Sequence, residues 1–209
     1  MEWLHVLDKD ALDWFQSQRT SLGDVIMVDI TALGGWVVLT LVVAFTIGLL
    51  LALRRYQTSI FVLAAVLGGV TVVEVVKTLI GRARPEITDA PPLASLPESF
   101  SFPSGHSMLS AVVYLTLALL VAGRMHGHRV RAYVVSSSLL VTFLIGVSRM
   151  YLGVHYLTDV FAGWIIGLSW ALAWRWIEGH WVRFRERAVD LGGEDEPDPS
   201  SRLTEPLAK

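Results

Sequence analysis

Three short segments of the sequence carry the residue types that phosphoryl transfer requires. They run from Lys77 to Pro85, from Pro103 to His106 and from Ser148 to Asp159. A transferring phosphoryl group spreads negative charge over its oxygens and needs fixed positive partners. Lysine offers a compact point charge, and the planar guanidinium of arginine suits two-point contact with phosphate. The predicted phosphate cradle therefore contains Lys77, Arg84 and Arg149.

Two histidines and an aspartate supply groups for the chemical steps. His155 and Asp159 are four residues apart, so in one helical turn they share a face and the carboxylate can bond Nδ1. That bond leaves Nε2 free to attack phosphorus and form a phosphohistidine. His106 can act as the general acid that protonates the leaving oxygen. The predicted catalytic residues are His155, His106 and Asp159.

The turn before His106 suits anion binding. Ser104 is a candidate N-cap, and Gly105 lets backbone N–H groups approach an anion at the positive end of a helix. Ser148 allows two interpretations, either donation to a phosphate oxygen or a bond to its own helix backbone. We include Ser104, Gly105 and Ser148 among the predicted phosphate-binding residues.

A metal site is the alternative interpretation of the histidines and the aspartate. Three nearby cationic side chains would repel a divalent ion, and no cluster of carboxylates is available to bind magnesium. The chain has no cysteine, which excludes disulfides, thiolate ligands and a cysteine nucleophile. We therefore predict a reaction without metal or cofactor.

Two further charged residues each allow two interpretations. Glu74 lies one turn before Lys77 and either holds it in place or receives a proton. Arg82 either contacts phosphate or a headgroup, or it is a solvated outer charge. Neither is included among the predicted site residues.

The composition is that of a membrane protein, because 53% of the 209 residues are hydrophobic and only 17% are charged. The net charge of −2 and the lack of a basic stripe interleaved with aromatics give no indication of a nucleic-acid partner, and none is predicted. The expected partners are a lipid substrate and the bilayer. Uncharged runs long enough to cross about 30 Å of hydrocarbon argue against a soluble core. The five predicted spans are Ile30–Leu53, Tyr56–Ile80, Ser107–Gly123, Ala132–Ser148 and Thr158–Trp174.

The two ends of the chain differ from this middle part. Residues 1–25 carry too many charges for a signal peptide and predict an amphipathic helix in the membrane interface, the alternative being a solvated N-terminus. Residues 26–188 form the membrane domain. Residues 189–209 are rich in Gly, Pro, Ser and acids and predict a disordered tail. The predicted fold is an all-α, polytopic membrane helix bundle of about five transmembrane helices plus the N-terminal interfacial helix.

Arginines concentrate in the connections on one side of the predicted bundle, which indicates the cytoplasmic side. The N-terminus and the three polar segments then lie on the extracytoplasmic face, and the C-terminus is cytoplasmic. The sequence leaves the oligomeric state open. The arginines counted are Arg54, Arg55, Arg124, Arg129, Arg131, Arg175, Arg183, Arg185 and Arg187.

The three segments resemble the three-part signature of the type 2 phosphatidic acid phosphatase family. They read Lys77-x6-Arg84-Pro85, Pro103-Ser104-Gly105-His106 and Ser148-Arg149-x5-His155-x3-Asp159. The family includes bacterial undecaprenyl-diphosphate phosphatases, phosphatidylglycerophosphate phosphatases and, distantly, vanadium haloperoxidases. The resemblance covers about Ile26 to Trp176.

The resemblance implies hydrolysis of the terminal phosphate of undecaprenyl diphosphate, phosphatidylglycerophosphate or phosphatidic acid in the cell membrane, without choosing among these lipids. The alternative from another class is a non-enzymatic lipid-phosphate binder or transporter. Such a protein needs no carboxylate-oriented histidine and no second histidine. A vanadate-dependent peroxidase is disfavoured by the five spans.

Overall fold

The structure, a computed structural model, describes residues 2–86 and 99–193, and all regular structure in those ranges is helical. The chain divides into two compact units, Met1–Arg175 and Trp176–Lys209, and every contact of the candidate site lies in the first. In the second unit the rings of Trp176 and His180 lie 4.0 Å apart. The elements are α1 (Glu2–Ser17), α2 (Ser21–Ala32), α3 (Trp36–Ala52), α4 (Tyr56–Ile80), α5 (Gly105–Ser110), a π-helical segment (Ala111–Leu115), α6 (Thr116–Ala122), α7 (His128–Tyr151) and α8 (Leu157–Gly193).

Within residues 2–86 and 99–193, five helical stretches are long and apolar enough to cross a membrane, which confirms the predicted all-α membrane bundle. α4 matches its predicted bounds, whereas α7 is longer than its prediction because the helix continues through Arg129, Arg131 and Arg149, where the uncharged run stops. α8 is helical to Gly193, into the predicted tail, and residues 194–209 lie outside the described part. The stretches are Ser21–Ala52, Tyr56–Ile80, Gly105–Ala122, His128–Tyr151 and Leu157–Phe184.

The first span is broken, whereas the sequence predicted one uninterrupted run. α2 ends at Ala32 and α3 begins at Trp36, with turn hydrogen bonds between them. Gly34 sits at the break, where a Cβ atom would lie 2.5 Å from Ile145 Cγ2 and 3.4 Å from His106 Cδ2. Only glycine permits this approach, which brings the break beside His106.

α1 packs one of its faces against the bundle. Leu4, Leu12 and Phe15 are partly buried, and Asp8 on the same face is only 2% exposed. Phe15 packs against the buried cluster of Tyr151, Leu152 and Val154 at the end of α7. The outward face still exposes Trp3, Val6, Leu7 and Trp14. The predicted helix is therefore present, and its placement in a membrane interface stays a prediction.

The three polar segments meet at one end of the bundle. The Ser104 N–H, just before α5, donates to the Asp159 carbonyl in the first turn of α8 at 3.0 Å. At the other end, a Cβ on Gly123 would lie 2.8 Å from Arg175 Nη2, so the end of α6 lies beside that part of α8. Arg124 at this far end donates to Thr58 Oγ1 at the start of α4.

Candidate active site

The last turn of α4 contributes Lys77. Its side chain is largely buried, and its Nζ lies 3.8 Å from Glu74 Oε1, a long contact to a carboxylate that is itself mostly exposed. A Cβ atom on Gly105 would lie 3.5 Å from Lys77 Nζ. Gly81 ends the helix in the left-handed conformation, with φ of 62°, which glycine adopts without strain. The chain can then turn and carry residues 82–86 toward the site.

The start of α5 is capped by Ser104, as predicted. Its buried Oγ accepts from the Ser107 N–H at 3.5 Å and from the Ser107 hydroxyl at 3.0 Å. Both bonds use the Ser104 oxygen as acceptor, so the hydroxyl proton can be donated to an anion. Because Gly105 follows at once, the N-terminus of α5 faces Lys77 without a side chain between them.

His155 lies in the turn that precedes α8 and is only 2% exposed. Its Nε2 lies 3.2 Å from Nη1 of Arg84. A guanidinium can only donate, so Nε2 must be the acceptor and the ring proton belongs on Nδ1. Burial lowers the pKa of His155 to about 4, with Arg149 and Arg84 acting in the same direction against the effect of Asp159. The imidazole is therefore neutral at pH 7.

The Asp159 carboxylate is completely buried and faces three partners. Its Oδ1 accepts from Arg82 Nη1 at 2.7 Å, and its Oδ2 accepts from the Tyr156 N–H at 3.0 Å. The second bond resembles half of a capping box, because a side chain in the first turn reaches back to the start of α8. The third partner is His155, whose Nδ1 lies 3.5 Å from Oδ2.

The predicted bond between Asp159 and His155 is not formed at normal length. A distance of 3.5 Å exceeds the usual N–H···O range, and within the described ranges Nδ1 has no hydrogen-bond partner. The two residues also do not share a helix, because His155 precedes α8 and Asp159 lies in its first turn. The contact is therefore longer than a hydrogen bond, and a small rotation of either side chain would shorten it to one.

Arg84 and Arg149 reach the site from different elements. Arg84 is held by Ser99, whose carbonyl accepts from Nε at 2.8 Å and whose hydroxyl accepts from Nη2 at 3.0 Å, and by the Val154 carbonyl. Arg149, near the end of α7, donates to Thr31 Oγ1 at 3.0 Å. Its Nε is buried and lacks a hydrogen-bond partner among the described residues. This donor is expected to pair with a bound anion.

Electrostatic coupling joins these groups into one site. His106 experiences the charges of Lys77, Arg84 and Arg149 and lies within range of His155. The three cations also act on one another. Positive charges this close together repel one another when no anion is bound, and a multiply charged anion would stabilise them. The residues brought together are His106, His155, Asp159, Lys77, Arg84, Ser104, Gly105 and Arg149.

Ser148 shows the second of its two interpretations, the bond to its own helix backbone, and its contact with phosphate stays a prediction. Its buried hydroxyl donates to the Ile145 carbonyl of its own helix at 2.6 Å. This is the common behaviour of a serine near the end of a span. In the structure, the Ser148 hydroxyl is therefore hydrogen-bonded to the α7 backbone.

Arg82 is not the solvated outer charge that was one of its two interpretations. Its guanidinium contacts Asp8 and Thr158 as well as Asp159. Asp8 had one detectable signal, an acid on the same helical face as Leu4 and Phe15. Thr31 and Ser99, which hold Arg149 and Arg84, gave no signal, because their partners are far away in sequence.

The residues of the site do not form a recognisable metal centre. Within residues 2–86 and 99–193, no three His, Cys, Asp or Glu side chains are grouped so that they could hold a metal ion. The groups that surround the space beside His155 are instead positively charged or neutral donors. Their chemistry fits a phosphate group and not a divalent cation.

The fold and the site define a multi-pass membrane protein in which a buried histidine lies beside a cluster of positively charged side chains. The family model described as the PAP2 superfamily matches residues 57–183. The chain therefore belongs to the PAP2 superfamily.

Individual relatives agree with this membership. Phosphatidylglycerophosphatase B of Bacillus subtilis (strain 168) is 36% identical over 117 residues, 54% of this chain and 55% of that protein. Undecaprenyl-diphosphatase of Sulfolobus acidocaldarius is 34% identical over 112 residues, 53% and 47% of the two chains. The chain thus spans about half the length of these two relatives. The crystal structure of a transmembrane PAP2-type phosphatidylglycerolphosphate phosphatase from Bacillus subtilis superposes with a TM-score of 0.79 at 26% identity, over 86% of this chain and 88% of that one.

Proposed function

We propose that the chain is an integral membrane phosphatase that removes the terminal phosphate from a lipid phosphate or diphosphate through a phosphohistidine at His155. The observation that carries this proposal is the neutral, buried imidazole of His155, whose Nε2 lies 3.2 Å from Arg84 Nη1. Arg149 acts electrostatically on His155, and Lys77 on Arg84 and Arg149. A neutral imidazole as nucleophile and a cluster of cations as partners for the phosphate oxygens are the two requirements of phosphoryl transfer through a phosphohistidine.

In the first step, Nε2 of His155 attacks phosphorus and the bond to the leaving oxygen breaks. A phosphate oxygen replaces the imidazole as acceptor for Arg84 Nη1, which frees the electron pair on Nε2. Lys77 and Arg149 stabilise the remaining oxygens together with the N-terminus of α5. Asp159 stabilises the positive charge that develops on the ring.

His106 completes both steps by moving a proton. It donates to the leaving oxygen when the phosphorus–oxygen bond breaks. In the second step it accepts a proton from water, which attacks phosphorus and breaks the bond to Nε2. Inorganic phosphate leaves, and His106 and His155 return to their starting states.

A groove beside the site offers space for the lipid tail. It lies between α3 and α4, has a volume of about 300 Å³ and is almost entirely apolar. Trp36 lines it two residues after Gly34, where a Cβ atom would lie 3.4 Å from His106 Cδ2, and Leu109 lines it one turn after His106. The groove therefore begins one helical turn from the site, so a headgroup phosphate can reach His155 while its tail stays in hydrocarbon.

We place the active site on the extracytoplasmic face of the cell membrane. The opposite end of the bundle carries Arg54, Arg55 and Arg124 in short connections, and basic connections favour the cytoplasmic side. The N-terminus is then outside, with α1 at the interface, and the C-terminus is cytoplasmic.

The proposed activity is tested with purified protein in detergent. Wild type should release phosphate from lipid phosphates, and His155→Ala should abolish release. His126→Ala, which changes an exposed histidine, serves as the matched control and should keep wild-type activity. Vanadate, an analogue of phosphate in transfer, should inhibit, and excess chelator should not. Lipid binding without phosphate release by the wild type would identify a binder or transporter and overturn the proposal.

The substrate is identified with a panel under identical micelle conditions. Undecaprenyl diphosphate, phosphatidylglycerophosphate and phosphatidic acid are compared by kcat/KM, because the two relatives described above bear names from two of these classes. The cationic site contacts the terminal phosphate, so the differences should arise mainly in KM.

The orientation is tested with single cysteines, which the cysteine-free chain makes unambiguous. Asp10→Cys in α1 should react with a membrane-impermeant maleimide in intact cells. His126→Cys at the other end should react only after lysis. Reversed labelling would place the site in the cytoplasm while leaving the proposed chemistry untouched.

A further inference from the structure

A buried ionic network joins α1 to the candidate active site. Arg82 Nη2 donates to Asp8 Oδ2 at 2.6 Å, while its Nη1 donates to Asp159 Oδ1 and to Thr158 Oγ1, both at 2.7 Å. Asp8 also accepts from the Thr158 N–H at 2.9 Å and from the Thr158 hydroxyl at 2.7 Å. Asp8 thus binds both the start of α8 and the arginine that holds Asp159.

The network determines which way the Asp159 carboxylate faces. Arg82 engages Oδ1 and the Tyr156 N–H engages Oδ2, so the carboxylate is held from two sides. In this orientation Oδ2 is the oxygen that faces Nδ1 of His155. Because the pair is 3.5 Å apart, a small rotation of the carboxylate decides whether the bond forms during the reaction.

Arg82 itself depends on Asp8 for its position. Its guanidinium carbon lies 4.1 Å from the centre of the Tyr156 ring, so the group is stacked on one side and bonded at its edge. Without Asp8, Nη2 of Arg82 loses a charge-assisted hydrogen bond, and the Arg82 side chain regains rotational freedom. Asp8 is 2% exposed and comes from a helix that otherwise contributes apolar contacts, so its burial needs this partner.

We infer that Asp8 and Arg82 are positioning residues for the reaction. Through them, α1 orients the Asp159 carboxylate toward His155. This inference rests on the proposed function. Neither residue is placed in contact with the transferred phosphate. Their effect should therefore appear in kcat and not in KM.

The first test measures phosphate release by Asp8→Asn and Arg82→Gln. Asparagine keeps the size of Asp8 but turns an N–H group toward Arg82 or Thr158. Each variant should lower kcat roughly 10- to 100-fold, by analogy with the outer hydrogen-bond partners that orient metal-binding side chains. KM should change little, and Arg82→Lys should recover part of the loss. Asp10→Asn, an exposed acid on the same helix, is the matched control and should behave as wild type.

The second test distinguishes positioning from a purely structural role. If Asp8 acts through Asp159, adding Asp8→Asn to Asp159→Asn should cause no further loss of the residual kcat. A structural role would instead lower kcat by the same factor in both backgrounds and would overturn the inference. Unchanged kcat in the single variants would overturn it as well.

If size-exclusion chromatography shows that Asp8→Asn folds poorly, the milder variant Thr158→Val is used in its place. It removes only the hydroxyl that links Asp8 and Arg82, and it should lower kcat through the same coupling to Asp159. Additivity with Asp159→Asn would count against the inference here too. The proposed function is tested separately: it is supported if the wild type is active and His155→Ala is inactive, even when the tests of Asp8 and Arg82 contradict the inference.

Discussion

Nη1 of Arg84 lies 3.2 Å from Nε2 of His155, so the arginine donates to the atom that must attack phosphorus. In the resting site this bond fixes the tautomer and occupies the electron pair. When phosphate enters, the same donor has a better acceptor in a charged oxygen. Arg84 therefore links substrate binding to release of the nucleophile.

The first prediction concerns the fixed geometry of Arg84. Its Nε, Nη1 and Nη2 together donate to Ser99 and Val154, and a lysine cannot reproduce this fork. Arg84→Lys should lower kcat by roughly 100-fold or more, the cost of losing one transition-state donor. Steady-state phosphate release is the measurement, with Arg55→Lys at the other end of the bundle as control. A kcat near wild type would show that charge alone suffices.

The second prediction is a loss of stability on acidification. Burial holds the pKa of His155 near 4 in the folded protein, against about 6.5 when unfolded. Between these values the unfolded chain binds more protons, so stability falls as pH drops below about 6.5, and the loss is complete below about 4. At pH 5 the displaced pKa of His155 should lower the free energy of unfolding by about 2 kcal/mol.

Thermal unfolding in detergent at pH 7.5 and pH 5.0 measures this cost. His155→Gln cannot titrate, so its midpoint should fall less between the two pH values than that of the wild type. Other titrating groups are shared by the two proteins and cancel in the comparison. Equal decreases would show that the pKa of His155 is not displaced in the folded state.

The sequence predicted those features that depend on local composition. Uncharged runs predicted four of the five spans, and an apolar run with Asp159 and Arg175 at its ends predicted the fifth. The position of Ser104 before the third span predicted its N-cap. The convergence of the three polar segments followed from topology, because each adjoins the same end of the bundle. These features need no knowledge of how side chains pack.

Features that depend on contacts between residues far apart in the chain could not be predicted from the sequence. The break between α2 and α3 lies inside an apolar run, at Gly34, where a Cβ atom would lie 2.5 Å from Ile145 Cγ2 and 3.4 Å from His106 Cδ2. The π-helical segment from Ala111 to Leu115 likewise carries no composition signal. The bond between Arg82 and Asp8 joins residues 74 positions apart.

The third prediction places the lipid tail in the groove between α3 and α4. Ala44 lines the groove and is exposed within the protein, so Ala44→Trp should fill space without displacing a buried side chain. It should raise KM for a long-chain lipid phosphate and leave kcat/KM for para-nitrophenyl phosphate unchanged. Leu49→Trp, on an exposed part of α3 outside the groove, is the control. Equal effects on both substrates would indicate general damage and reject the groove as the tail site.

The fourth prediction tests the packing that holds the start of α5 against α8. A Cβ atom on Gly163 would lie 2.9 Å from the Ser104 carbonyl oxygen and 3.1 Å from the Met108 nitrogen, both backbone atoms that cannot move aside alone. Gly163→Ala should therefore displace the first turn of α5, with a stability loss of about 1 to 3 kcal/mol.

The displacement in Gly163→Ala should also lower kcat, because Ser104 and His106 would shift relative to His155. Gly48→Ala is the matched control, since nothing lies within 4 Å of its Cβ position, and it should gain about 0.5 to 1 kcal/mol from helix propensity. Thermal midpoints and phosphate release are measured for both. If Gly163→Ala kept wild-type stability and kcat, the close contact between α5 and α8 would not be needed to position the site.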